Sequence, residues 1–154
     1  MPEAWRIIKA QHAATAFSGR GAADYGGRWN SRGVAVVYTS QTKSLAVLES
    51  LVHLNPPVAF HYSAFHLEFP ETYVETFSLA QLPAGWRTEP PPPTTQHMGD
   101  HWVRRSRTAV LAVPSVIIPG ETNYLLNPAH ADFAKIIICP PEPFAFDPRL
   151  VAHR

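Results

Sequence analysis

The chain has one cysteine, Cys139, among 154 residues, so an internal disulfide is excluded, and no close pair of Cys or His residues forms a structural zinc template. That usage fits a reducing cytosol. Runs of like charge are missing too: the formal net charge is +1, and no stretch of about five or six charges of one sign marks a nucleic-acid arm or an acidic tail. No apolar run approaches the roughly 20 residues that span a bilayer, and the opening MPEAWRIIKA has no apolar core of signal-peptide length. A cytoplasmic protein with no membrane association and no direct nucleic-acid contact is expected.

The common nucleotide and hydrolase templates are absent as well. There is no GxxxxGK[ST], and SGRGAADYGG lacks the strand-to-helix setting of a dinucleotide fingerprint. His66 and Glu68 form an HxE without the later PCxxC of a zinc deaminase, and Ser115 in VPSV is not a GxSxG elbow. Metal, hydrolase and Rossmann chemistry therefore find no support, and no metal is expected.

Proline, by contrast, is abundant. The chain has 16 prolines, clustered at 90–93 and 140–143, where they end any helix or central strand before them. Short elements and long loops follow. A chain of this length is about one domain, and residues 1–154 are read as one. Strand-length runs of β-branched and aromatic residues stand at 5–9, 34–39, 60–69, 73–77, 108–113, 115–118 and 134–139. The clearest helix spans 40–54, with Ser40 or Thr42 as its cap, Leu45, Leu48 and Val52 on its apolar stripe, and Asn55-Pro56 as its stop. A weaker helix covers 96–106, and the proline-rich 83–95 reads as a surface loop.

Within the first helix Glu49 emerges beside the apolar stripe. One reading has it snorkel to water or pair with an arginine. The other makes it a half-buried functional acid. Two neighbours bear on the choice. Tyr38 ends the strand just before this helix, and Arg28 lies in the loop GGRWN before that strand. A strand-end tyrosine can lay its ring on a flat ligand, and Arg28 beside two glycines can offer a planar fork to phosphate oxygens. Each feature also has an ordinary reading, as a turn with a solvated arginine and as a core tyrosine with a wet hydroxyl.

Taken in succession, WRI, GGRWN, VVYTS, LAVLES, GDHWV, VPSVIIPGETNYLLNP and FDPRL cover nearly the whole chain. In that order they resemble the RES-domain toxins of bacterial toxin–antitoxin systems, named for an Arg, a Glu and a Ser. The resemblance implies a mixed α/β (α+β) domain similar to the ADP-ribosyltransferase fold, with a split, mainly antiparallel β core and flanking helices. It also implies an activity that consumes NAD as substrate, with no added cofactor.

The resemblance assigns roles residue by residue. Glu49 stabilises the positive charge that develops on ribose as the nicotinamide bond breaks. Tyr38 stacks on nicotinamide. Arg28, helped by Arg6, binds the diphosphate, and Ser115 hydrogen-bonds the ribose or nicotinamide end. Asn123 shapes the site. The implied partner is a helix-turn-helix antitoxin of Xre type, and a homodimer within that complex is left open. Whether water, phosphate or a protein side chain accepts the ADP-ribose is also left open. Two readings from other classes compete. One is a nucleotide-binding module without turnover. The other is an RNA-binding toxin using Arg104, Arg105 and Arg107 as a basic patch.

Overall fold

A computed structural model describes residues 1–53 and 61–150 of the chain. Its strands are β1 (Glu3–Lys9), β2 (Val37–Ser40), β3 (Tyr62–Glu68), β4 (Val74–Thr76), β5 (Val110–Pro114), β6 (Thr122–Leu126), β7 (Ile137–Ile138) and β8 (Glu142–Phe144). The helices are α1 (Arg20–Tyr25), α2 (Lys43–Leu51) and α3 (Pro93–Arg105).

The strands follow the order β4-β5-β6-β2-β1-β3-β7, with β8 also on β3, and all pairs are antiparallel except β4 with β5. One seam in this path is thin. β1 meets β2 through the single register pair Trp5↔Ser40, whereas β1 pairs with β3 along its whole length. The core is therefore two mainly antiparallel half-sheets joined at a narrow seam, the mixed α/β architecture with a split core that the resemblance implies. Arg6 staples the seam: its Nη1 donates to Tyr38 O at 2.9 Å and its Nε to Ala16 O at 2.7 Å.

Strand alternation explains the core on the β5–β6–β2 side. Val110 and Leu126 point into one apolar cluster with Val37, Phe65 and Leu67. Leu111, Val113 and Leu125 point into a second, with Trp29, Val36, Trp86 and Trp102. Both faces of this half-sheet are thus buried, and each such aliphatic side chain contributes about 1.5–3 kcal/mol by leaving water.

Helix α2 lies against β1 and β2. Thr42 caps it, accepting from Leu45 N–H at 3.0 Å, while Ser40 stays in β2. Leu45 is buried and Leu48 half-buried, but Val52 is 59% exposed because α2 ends at Leu51. The predicted helix end at Leu54 lies outside the described residues.

Four other expectations change. Residues 115–118 are not a strand, because the Ser115 hydroxyl accepts from the N–H groups of Ile117 and Ile118, both at 3.1 Å, and bends the chain into a turn. That turn leads into β6, a strand missing from the sequence reading. Of residues 34–39 only those from Val37 onward are strand, since Val34 is drawn into a turn through Ser31 O and the Asn30 amide. Residues 134–139 supply only the short β7, after a 3-10 turn at Ala131–Lys135. Helix α3 also begins earlier than predicted, with Pro93 in its first turn, where a missing N–H costs nothing.

Candidate functional site

The loop that carries Arg28 is built around a buried amide. Asn30 is fully buried, and its Nδ2 donates to Ala22 O at 2.8 Å and Val34 O at 3.0 Å, while its Oδ1 accepts from the Tyr38 hydroxyl at 2.6 Å. The backbone amides nearby are spent inside the protein: Gly26 on Ala22 O, Gly27 on Asn30 O, Trp29 on the Tyr38 hydroxyl and Ser31 on Asp100. An anion at this loop is therefore met by a side chain rather than by a nest of N–H groups.

Helix α3 locks the loop from the other side. The buried Asp100 accepts from Ser31 N–H at 2.9 Å and from Ser31 Oγ at 2.6 Å. Gly99 lies so close to the Trp29 backbone that an added Cβ would stand 1.7 Å from its carbonyl oxygen. Gly27 has a similar neighbour, the Tyr38 hydroxyl, 2.6 Å from where a Cβ would be. These contacts give a physical reason for the GDHW and GGRWN strings.

Arg28 points across to the proline-rich segment. Its Nη1 donates to Trp86 O at 2.8 Å and Thr88 O at 2.9 Å, and its Nη2 to the Glu89 carboxylate at 2.5 Å. The arginine side chain is 12% exposed and that of Glu89 69%. Tyr38 is half-buried and packs with the Trp29 cluster, and burial, opposed by the Trp29 N–H, pushes its phenol well above the usual range. Arg6 sits behind Tyr38 on the two carbonyls described above, and burial lowers its guanidinium to about 10.

Glu49, Ser115 and Asn123 do converge. The Ser115 hydroxyl donates to Glu49 Oε2 at 2.9 Å, and Asn123 Nδ2 donates to the same oxygen at 2.6 Å. Ser40 Oγ donates to Asn123 Oδ1 at 2.7 Å, which fixes the direction of the amide. The order Ser40, Asn123, Glu49, Ser115 is a determined relay in which every hydroxyl and amide has a defined role. It holds a half-buried carboxylate still, on rigid strands and a helix, where a cation can be met with little reorganisation. Glu49 is thus paired, but with neutral donors rather than with an arginine.

Beside Ser115 opens a cleft of about 220 Å³ whose walls include Phe77, Trp86, Arg87 and Glu121. Ser40, Asn30, Asp100, Glu89 and this cleft are missing from the sequence reading. Ser40 was legible there only as a candidate cap, and its β2 register with Asn123 is what makes it a site residue. Arg104, Arg105 and Arg107, the basic string of the RNA reading, are exposed on and just after the end of α3. Among the described residues no helix is long and apolar enough to cross a membrane.

Residues 3–147 match the RES domain family model. The chain is 37% identical over 148 residues to Toxin Res of Yersinia enterocolitica, covering 95% of this chain and 97% of that one. It is 39% identical over 153 residues to the Prs ADP-ribosylating toxin of Sphingobium sp. (strain YBL2), covering 96% of this chain and 95% of that one. In fold it is similar to a chain of the M.tuberculosis MbcT-MbcA toxin-antitoxin complex. The TM-score is 0.69 at 14% identity, over 97% of this chain and 86% of that chain.

Proposed function

The chain belongs to the RES domain family, and from that premise we propose that it is the toxin of a toxin–antitoxin system and destroys NAD by cleaving the nicotinamide–ribose bond. The observation that carries this reading is the Glu49 carboxylate, held through one oxygen by Ser115 and Asn123. Departure of nicotinamide leaves positive charge on the ribose ring, and a fixed anion beside it lowers the barrier. Ser115 and Asn123 act as positioning residues for Glu49 and offer hydrogen bonds to the ribose hydroxyls. Tyr38 presents its ring to nicotinamide while its hydroxyl stays with Asn30. The diphosphate takes the place of Glu89 on Arg28. Arg6 supports the site from behind the β1–β2 seam.

Nicotinamide is an adequate leaving group, so the step needs no further cofactor. Water as acceptor gives a glycohydrolase and inorganic phosphate a phosphorylase. Transfer to a protein is a second reading, favoured by the name of the Sphingobium relative. A protein that consumes its own cell's NAD works in the cytoplasm and needs an inhibitor. We assign that role to a helix-turn-helix antitoxin of Xre type, a segment of which enters the cleft near Arg28 and Glu49. Tight binding of such a partner with undiminished NAD loss would remove that assignment. The decisive experiment incubates pure protein with NAD, with and without phosphate, and identifies the products by mass spectrometry. ADP-ribose or its 1-phosphate is the expected product, and unchanged NAD would overturn the reading.

A further inference from the structure

No part of the substrate has so far been given a place in the cleft beside Ser115. Its volume, about 220 Å³, is below the roughly 300–1,000 Å³ that houses a whole drug-sized ligand. It has room for one flat ring system rather than for a dinucleotide. Phe77, Leu79 and Trp86 supply apolar wall, and Glu121 supplies a hydrogen-bond acceptor. Arg87 also lines the cleft, with its guanidinium carbon 5.2 Å from the centre of the Trp86 ring. An arginine held against an indole keeps its charge while losing part of its freedom, a stance suited to a phosphate beside an aromatic base. Ser115 belongs both to this cleft and to the Glu49 relay, so the two spaces adjoin.

We propose that this cleft is the subsite for the adenylate half of the dinucleotide, with the adenine ring against Phe77 and Trp86 and its phosphate met by Arg87. The proposal rests on NAD being the substrate. Electrostatics sets the direction of binding. The nicotinamide ring of NAD is cationic and belongs at the Glu49 carboxylate, whereas beside Arg87 it would be repelled. Adenine is neutral, its exocyclic amine can donate to Glu121, and its phosphate is attracted to Arg87. Arg28 strengthens the arrangement indirectly: by holding the carbonyls of Trp86 and Thr88 it fixes the wall on which Arg87 stands.

The test uses AMP, which carries this half alone, and reads binding by calorimetry on the full chain. Wild type binds AMP, and the Trp86 indole proton shifts in NMR spectra while that of Trp102, which donates to Thr108 Oγ1 and does not line the cleft, stays in place. Arg87→Ala weakens AMP about fivefold or more, the scale of one partly exposed charge-assisted contact. Arg104→Ala, which removes an equal charge from the end of α3, leaves AMP binding unchanged. Wild-type AMP affinity in Arg87→Ala, or absence of AMP binding to the wild type, overturns the subsite. The two readings fail separately. AMP binding that depends on Arg87 without any loss of NAD would leave the subsite and remove the NAD-cleaving function. NAD loss with AMP affinity indifferent to Arg87 would do the reverse.

Discussion

Glu89 places a carboxylate oxygen 2.5 Å from Nη2 of Arg28, so the fork expected to take the diphosphate already holds an anion. The partners differ in exposure: Arg28 is anchored by two carbonyls, while Glu89 reaches in from solvent. An exposed ion pair of this kind is weak, and a diphosphate carries more charge than one carboxylate. Glu89→Gln should therefore tighten NAD binding by about two- to fivefold, and Arg28→Ala should weaken it while loosening the 86–89 segment. Arg28→Lys should resemble the alanine variant, since one ammonium cannot serve two carbonyls and an anion in a plane. Calorimetry with NAD on a Glu49→Gln background, where turnover is suppressed, measures all three. Equal affinity in wild type and Glu89→Gln would mean that the phosphate does not contest this fork.

Tyr38 is held protonated. Its hydroxyl donates to Asn30 and accepts from Trp29 N–H, so Tyr38→Phe leaves a buried acceptor and a buried donor without their partner. The loss should be about 1–3 kcal/mol of stability at neutral pH. Its pH dependence has a definite sign. The folded-state pKa is raised, chiefly by burial, above the ordinary value of about 10. The corresponding stability is complete below that ordinary value and is lost as pH rises beyond it, because only the unfolded chain then ionises freely. Urea titrations from pH 8 to 11 should show wild type losing stability above about pH 10 more steeply than Tyr38→Phe. Parallel curves would show that this phenol titrates alike in both states.

Gly99 separates helix propensity from packing. In an exposed helix Gly→Ala stabilises by about 1 kcal/mol. Here the new methyl group would meet the Trp29 carbonyl oxygen at 1.7 Å. Gly99→Ala should destabilise by about 1–3 kcal/mol, as other overpacked sites do, and should disturb the Arg28 loop through Trp29. The midpoint of urea unfolding gives the sign, and an upward shift would refute the close approach of α3 to that loop.

Features that depend on near neighbours in the chain were legible in the sequence. The α2 helix and the place of Glu49 beside its apolar stripe follow from spacings of three and four residues, though the cap stayed open between Ser40 and Thr42 and the burial of Glu49 stayed open too. The strands β1, β3 and β5 follow from runs rich in β-branched and aromatic residues. What Glu49 touches was not legible, because Ser115 and Asn123 stand 66 and 74 residues away and arrive through the β5–β6–β2 register. The strand β6 hid for a related reason: TNYLL begins with polar residues that serve the site, so its alternation is broken where function overrides it. The serine of VPS misled in the opposite way, since its turn-forming side chain ends the strand that the valine and isoleucines around it suggest. Asn30 and Asp100 gave no local sign of burial, because a polar residue is drawn inside only when distant donors and acceptors await it.

Glu49→Gln is the substitution that separates catalysis from framework. In the native relay one oxygen, Oε2, accepts from both Ser115 and Asn123. Glutamine retains a carbonyl oxygen that can accept from the same two donors, so the relay, α2 and the fold should persist, with unfolding midpoints within about 1 kcal/mol of wild type. The negative charge alone is removed. Its value in bound NAD should be modest, because the nicotinamide charge is spread over a ring, and it should grow as charge concentrates on the ribose ring during bond breaking. Stabilisation confined to that moment appears in turnover rather than in affinity. Turnover should fall about a hundredfold or more, the effect of losing one preorganised electrostatic contact, with NAD affinity nearly unchanged. Ser115→Ala and Asn123→Ala, which free the carboxylate without removing it, should each show a smaller loss. If Glu49→Gln consumed NAD at the wild-type rate, the charge would have no part in the reaction. If instead it unfolded while Ser115→Ala and Asn123→Ala did not, Glu49 would be a structural residue of α2.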